Sequence, residues 1–246
     1  MTRATSKTTY KTLLAIATSA TSALCLLTFN AHAKPIAFAD SWTFMHERDS
    51  DMLETSLYYA PKHWFSFGPT VAISRSTEKG IRREANIFHT NFLVKRWNMP
   101  NAQGNIFATV GAGRVKTIYT PPPSSSPHLV HLDGMANLLT NRTESTRHAT
   151  IQGDFETRQF YSAVKFDAHQ ASSFLDRTDM LQLGFAPYAH DYEDLAVWFI
   201  AQVKKKRGLH NETEGGAFVR LFKKNIWLEV GMTEGRRSQI MLMINY

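Results

Sequence analysis

Apolar and polar residues alternate along most of this chain. In YEDLAVWFIAQVKKK, Leu195, Val197, Phe199, Ala201 and Val203 share one face of an extended segment, and Asp194, Trp198, Gln202 and Lys204 share the other. A period of two is the mark of a strand with one apolar face. NIWLEVGMT repeats it, with Ile226, Leu228, Val230 and Met232 opposing Trp227, Glu229 and Gly231. Upstream, Phe65, Phe67, Val71 and Ile73 oppose Ser66, Gly68, Thr70 and Ser74. Turn-forming stretches such as APKH, STEKG, NMPNAQG, RGLHNETEGG and TEGRR separate the runs. The pattern predicts ten strands, near residues 52–60, 64–75, 84–97, 105–118, 148–167, 178–189, 192–205, 216–223, 226–234 and 238–246.

Alternation alone fits a secreted sandwich as well as a membrane barrel. Three features favour the barrel. Several runs reach about 10 residues, the length a tilted strand needs to cross a bilayer, where sandwich strands average about 5 or 6. Tyr58, Tyr59, Trp64, Trp97, Tyr119, Tyr188, Tyr192 and Tyr246 sit near strand ends, as interfacial girdles require. Charges such as Asp154, Glu156, Arg158, Arg220 and Glu229 fall inside strands on the polar face, as a lumen requires. The expected fold is all-β, an antiparallel transmembrane β-barrel of about ten strands, within a range of eight to twelve.

The N-terminus adds a location. Arg3, Lys7 and Lys11 precede LLAIATSATSALCLLTF, and AHA at 31–33 precedes Lys34 and Pro35. A basic start, an apolar middle and a small-x-small site read as a secretory signal peptide over residues 1–33, removed after Sec-type export. Residues 34–51, containing SWTFMHERD, read as a periplasmic lead-in or an extra strand, and 52–246 as the barrel. Cleavage removes the one cysteine, Cys25, so neither disulfide nor thiol chemistry is expected. The leader carries three of the 28 basic residues and none of the 21 acidic ones. The mature chain is therefore only mildly basic, which argues against a nucleic-acid partner.

The chain closes on IMLMINY, with Ile240, Leu242, Ile244 and Tyr246 on one face. A terminal aromatic after alternate apolar residues is similar to the assembly signal of bacterial outer-membrane barrels. That likeness implies the outer membrane as location, its lipid as surroundings and the barrel-assembly machinery as partner during biogenesis. The blocks HERDSDMLETSLYYAPKHWFSFG, NFLVKRWNMPNAQGNIFATVGAG, GDFETRQFY, FAPYAHDYEDLAVWFIAQV and FVRLFKKNIWLEVG extend the likeness. They resemble an uncharacterised proteobacterial outer-membrane β-barrel protein family, over most of the mature chain. The resemblance implies fold and location and leaves activity open.

TPPPSSSP at 120–127 forbids regular structure and starts an irregular insert at about 119–147. Counting hairpins back from a periplasmic C-terminus puts this insert on the periplasmic side, although long loops of such barrels usually face outward. Within it His128 and His131 are weak metal-ligand candidates, and no cofactor is expected. His46 and Glu47 start no HExxH motif, since Ser50 stands where the second histidine belongs. Ser162 and Ser172 with His148 and His169 are the candidates for an outer-membrane lipid hydrolase. The lumen is the more informative place. Glu54, Asp154, Glu156, Arg158, Arg220 and Glu229, with Lys95, are expected to point inward, and opposite charges there should pair. Trp198, Trp227 and Phe218 also fall on the inward face. The expected function is a small outer-membrane barrel of structural, interaction or assembly role, not an enzyme, with a largely side-chain-filled polar lumen. The alternatives are a narrow channel for small solutes or ions and a membrane-embedded lipid-modifying enzyme.

Overall fold

The computed structural model describes residues 38–119, 141–189 and 193–246. The signal peptide expected at 1–33, and His128 and His131, lie outside the described residues. Twelve strands follow one another: β1 Ser41–Arg48, β2 Met52–Lys62, β3 Phe65–Ser76, β4 Ile81–Met99, β5 Ala102–Tyr119, β6 Arg142–Thr157, β7 Phe160–Ala171, β8 Leu175–Phe185, β9 Ala196–Arg207, β10 Glu212–Lys223, β11 Ile226–Thr233 and β12 Arg237–Asn245. Each is antiparallel to its neighbours in sequence, and β1 pairs with β12, so the sheet is a closed barrel.

Twelve strands replace the ten expected. SWTFMHERD supplies β1, which pairs with both β2 and β12. The run at 148–167 is two strands, because the chain reverses at Arg158 and Gln159 without glycine or proline. Thr157 makes the reversal, its hydroxyl accepting from the amides of Gln159 and Phe160 at 3.2 and 2.9 Å. A side-chain-capped turn of this kind leaves no breaker in the sequence. The extra strand also corrects the position of the insert. Seven strands follow it rather than six, so β5 and β6 lead into it at the end of the barrel opposite the C-terminus.

The pleat sorts side chains as the alternation requires. Outward positions carry exposed Val71, Phe88, Val110, Ile151, Leu183, Phe199, Val203 and Val230. Inward positions carry buried Thr43, Ser66, Asn91, Asn105, Gln202 and Gln239 among apolar side chains. At the C-terminal end the outward residues turn aromatic. Trp42 packs on Tyr59 at 5.1 Å between ring centroids, Phe65 on Phe92 at 5.4 Å and Phe160 on Phe185 at 5.6 Å.

The closing seam sits at this same end. Backbone hydrogen bonds run both ways between Trp42 and Tyr246, at 2.6 and 2.9 Å, and the Thr43 hydroxyl donates to the Asn245 side chain at 2.8 Å. Ile240, Leu242 and Ile244 lie on the outward face of β12, with Gln239, Met243 and Asn245 buried inside. Four of the five connections at this end leave only two residues between strands, at 63–64, 100–101, 158–159 and 224–225.

Candidate functional site in the barrel lumen

Toward the C-terminal end the lumen is packed. Trp198, Ile200, Phe218, Phe222, Trp227 and Met243 meet Tyr161 and Ala163 in one cluster, with Trp227 1% exposed and Met243 0%. The facing wall is equally dry, with Ser66 at 0%, Asn91 at 1% and Phe107 at 2%. An ion pair is embedded in the cluster. Arg220 of β10 and Glu229 of β11 are register partners, and the Arg220 Nε donates to a Glu229 carboxylate oxygen at 2.7 Å. The guanidinium lies 4.6 Å from the Tyr161 ring centre and 4.3 Å from that of Trp227. It also donates to the Gln182 carbonyl at 3.2 Å, and the Gln182 amide donates to Gln202 at 2.9 Å. Aromatic faces and side-chain carbonyls thus replace the water that a buried guanidinium gives up.

The six lumen candidates do not form one network. Asp154 accepts from the Asn105 amide at 2.6 Å, and the Asn105 carbonyl accepts from Arg96 Nε at 2.8 Å. Arg96 faces both Asp154 and the buried Glu156. Arg158 lies in the exposed turn between β6 and β7, so its inward placement is overturned: the alternation was carried through a chain reversal. Lys95 is exposed as well, because a bulge between Leu93 and Lys95 shifts the register and turns Arg96 inward instead. Glu54 does face the lumen, in another cluster, where Lys165 interacts with Glu47, Glu54 and Asp167.

That other cluster centres on histidines: His148 and His169, candidates from the sequence, are brought side by side, and His89, which the sequence did not single out, joins them. His89, Gly111, His148, His169 and Asp176 are successive register partners across β4 to β8, which makes them one inward row. Gly111 is what lets the row close up. A Cβ at that position would lie 2.2 Å from the His89 ring, and without it the His89 and His148 ring centres approach to 4.7 Å. His148 Nε2 pairs with Asp167 at 2.6 Å, and the Thr150 hydroxyl donates to the same carboxylate at 2.6 Å. His89 Nδ1 lies 2.8 Å from the Thr70 hydroxyl and 3.2 Å from that of Tyr58, and His169 Nε2 lies 2.7 Å from the Thr146 hydroxyl.

A histidine held by a carboxylate is half of a nucleophile-activating device. The second half is missing among the described residues: Thr150 donates to Asp167 itself, and the serines expected to serve lie elsewhere. Ser172 is tied to Glu144 in the β7–β8 turn, and Ser162 is on the outer face beside Phe155 and Leu183. His89 Nε2 and His148 Nδ1 are buried with no hydrogen-bond partner among the described residues, and they are the nitrogens free to meet a ligand here. Asp51, His210 and Glu212 also bring ligand atoms within 4.8 Å of one another, but Arg237 already bonds to Asp51 and Glu212 at 3.3 and 3.1 Å, so a cation occupies that position.

No family model matches the chain, and no curated protein matches it by sequence. Among solved structures it is similar to a KdgM porin in complex with disordered oligogalacturonate. That likeness has 11% identity and a TM-score of 0.45, and it covers 84% of this chain and 98% of that one. It is also similar to LpxR from Salmonella typhimurium, at 9% identity and a TM-score of 0.45 over 84% of this chain and 99% of that one. A loop-deletion mutant of OmpT, an outer membrane protein of Vibrio cholerae, is similar at 6% identity and a TM-score of 0.31, over 84% and 98%. Scores this low carry no argument about what this chain binds or catalyses.

Proposed function

We propose that this chain is an outer-membrane barrel closed along its axis by its own side chains, with a structural or interaction role exercised at its surfaces. Support for the location comes from the outward apolar belt, the aromatic girdle at one end and the two-residue connections there, which match the periplasmic end of such barrels. The C-terminus and the seam lie at that end, and β5 and β6 lead into the insert at the external one. Export by a cleaved signal peptide and delivery by the barrel-assembly machinery belong to the same proposal.

One observation carries the closed lumen. The Arg220–Glu229 pair is 3% and 2% exposed and enclosed by Tyr161, Trp198 and Trp227, where a water-filled pore would leave such charges wet. In a planar bilayer the protein, with insertion verified by heat-modifiable migration, should show no discrete current steps. A variant with Phe218, Phe222 and Trp227 all changed to alanine should show them, because the plug is then removed. Steady steps from the unaltered protein would overturn the closed-barrel reading in favour of a narrow channel.

A further inference from the structure

The outward faces of β3 to β9 carry a second pattern, at the end of the barrel away from the aromatic girdle. On β3, β5, β6, β8 and β9 the apolar outward run there gives way to a basic residue: Val71 and Ile73 to Arg75, Val110 and Ala112 to Arg114, Ile151 and Ala149 to Arg147, Leu181 through Asp179 to Arg177, Val203 to Lys205 and Arg207, while on β7 it ends in Gln170. These basic residues are all exposed. Lys116 and Arg82 extend the row, and on the same outward faces Glu84 and Asp179 are the acidic residues. Arg82 pairs with Glu84 at 2.7 Å and Arg207 pairs with Asp179. Arg114, Arg147, Arg177, Lys116 and Lys205 have no ion pair among the described residues.

The register makes the pattern costly for an isolated barrel. Arg75 is directly opposite Arg82, and Arg177 directly opposite Arg207. Like charges facing each other across a sheet repel; Glu84 compensates Arg82 and Asp179 compensates Arg207, which leaves Arg75 and Arg177 without a carboxylate among the described residues. A counter-charge from outside relieves both. The row follows immediately on the apolar belt, at the level where a bilayer's hydrocarbon ends and its headgroups begin. Arginine forks match phosphate oxygens in a bidentate way.

We propose that this outward arginine row binds phosphate-bearing lipid headgroups of the leaflet that surrounds the external end of the barrel. The proposal rests on the membrane placement above, and the headgroup, not a soluble anion, is the ligand, because the row faces sideways into the leaflet. The row is densest where Arg177 stands opposite Arg207 on the adjacent strand and where Arg75 stands opposite Arg82.

The test uses the refolded protein in nanodiscs of phosphatidylcholine alone and of phosphatidylcholine with phosphatidic acid, whose headgroup is a phosphate monoester. Folding is scored by heat-modifiable migration, retained lipid by native mass spectrometry and stability by unfolding temperature. Phosphatidic acid should be enriched around the protein and should raise its unfolding temperature. Each arginine changed to glutamine should cut that enrichment about fivefold. Arg177→Gln should leave the unfolding temperature in phosphatidylcholine unchanged or slightly higher, since it relieves a repulsion; a residue needed only for the fold would lower it in both discs. Lys62→Gln with Lys223→Gln, at the opposite end, should change nothing. A folded barrel with no preference between the discs overturns the inference and leaves the membrane placement intact. So does protection by inorganic phosphate equal to that of the lipid. Failure to fold into either disc overturns both.

Discussion

Arg220 and Glu229 face each other across β10 and β11 at 2.7 Å, and neither reaches solvent beyond a few percent of its surface. A pair this dry is costly to bury and costlier to break, because the survivor keeps an uncompensated charge among Trp198, Trp227 and Tyr161. Arg220→Ala or Glu229→Ala is expected to lower stability by about 3–5 kcal/mol, and Arg220→Met with Glu229→Leu to recover most of it. Urea unfolding in lipid vesicles measures both. A loss under about 1 kcal/mol, the range of exposed pairs, would mean that water reaches the site.

Phe199 stands on the outward face of β9, 54% exposed in the apolar belt. Phe199→Arg is expected to cost about 2–4 kcal/mol at the bilayer midplane. Thr213→Arg, outward on β10 beyond the belt, should cost far less. Equal costs in a refolding titration would remove the belt from the membrane.

Gly111→Ala puts a methyl group 2.2 Å from the His89 ring, so the imidazole must leave the Thr70 hydroxyl it meets at 2.8 Å. The imidazole resonances of His89 and His148 should both move in a histidine-labelled NMR spectrum. Gly104→Ala, whose methyl would meet nothing closer than 3.4 Å, is the control and should leave them in place.

Glu144 pins the turn between β7 and β8 from the end of β6 opposite the C-terminus. It pairs with Arg142 at 2.7 Å and accepts from the Ser173 amide at 3.2 Å and from the hydroxyls of Ser172 and Ser173. The Arg142 hydrogen bond leads in holding its carboxyl down at about 2, against an ordinary 4.5, and the serines add to it. A depressed carboxylate stabilises the folded form above its unfolded value and loses that contribution as pH falls through its folded value. Protection of the Ser173 amide from exchange, corrected for intrinsic rate, should therefore hold above pH 4.5 and decline toward pH 2. Glu144→Gln should lack that protection throughout. A flat profile in the unaltered protein would refute the assignment.

Deleting 244–246 removes the register partners of Phe44 and Thr43 and the backbone bonds to Trp42. The heat-modifiable form should disappear, where Tyr246→Phe retains it.

Single-strand alternation was enough to tell inward from outward on β9, β11 and β12, because each of their faces is of one kind: Phe199 out and Trp198 in, Val230 out and Glu229 in, Ile240 out and Gln239 in. It failed where the backbone changes phase silently. Thr157 turns the chain with a hydroxyl, and the bulge before Lys95 exchanges it for Arg96. The histidine row was illegible for a different reason. His89, His148 and His169 are scattered in sequence and become neighbours only through the register of three strand pairs, which no segment states by itself.

The seam sets an order of events. Thr43 and Asn245 are 202 positions apart in the chain, yet they share a hydrogen bond, and β1 has no second neighbour until β12 arrives. Every local hairpin can form as the chain is delivered, but the cylinder cannot shut before its last segment is in hand. Until then β1 and β11 are open edges, the sticky borders along which sheets join the wrong partner. The interval between delivery of β1 and delivery of β12 is therefore the dangerous one, and whatever escorts this chain must guard two edges at once and release them together.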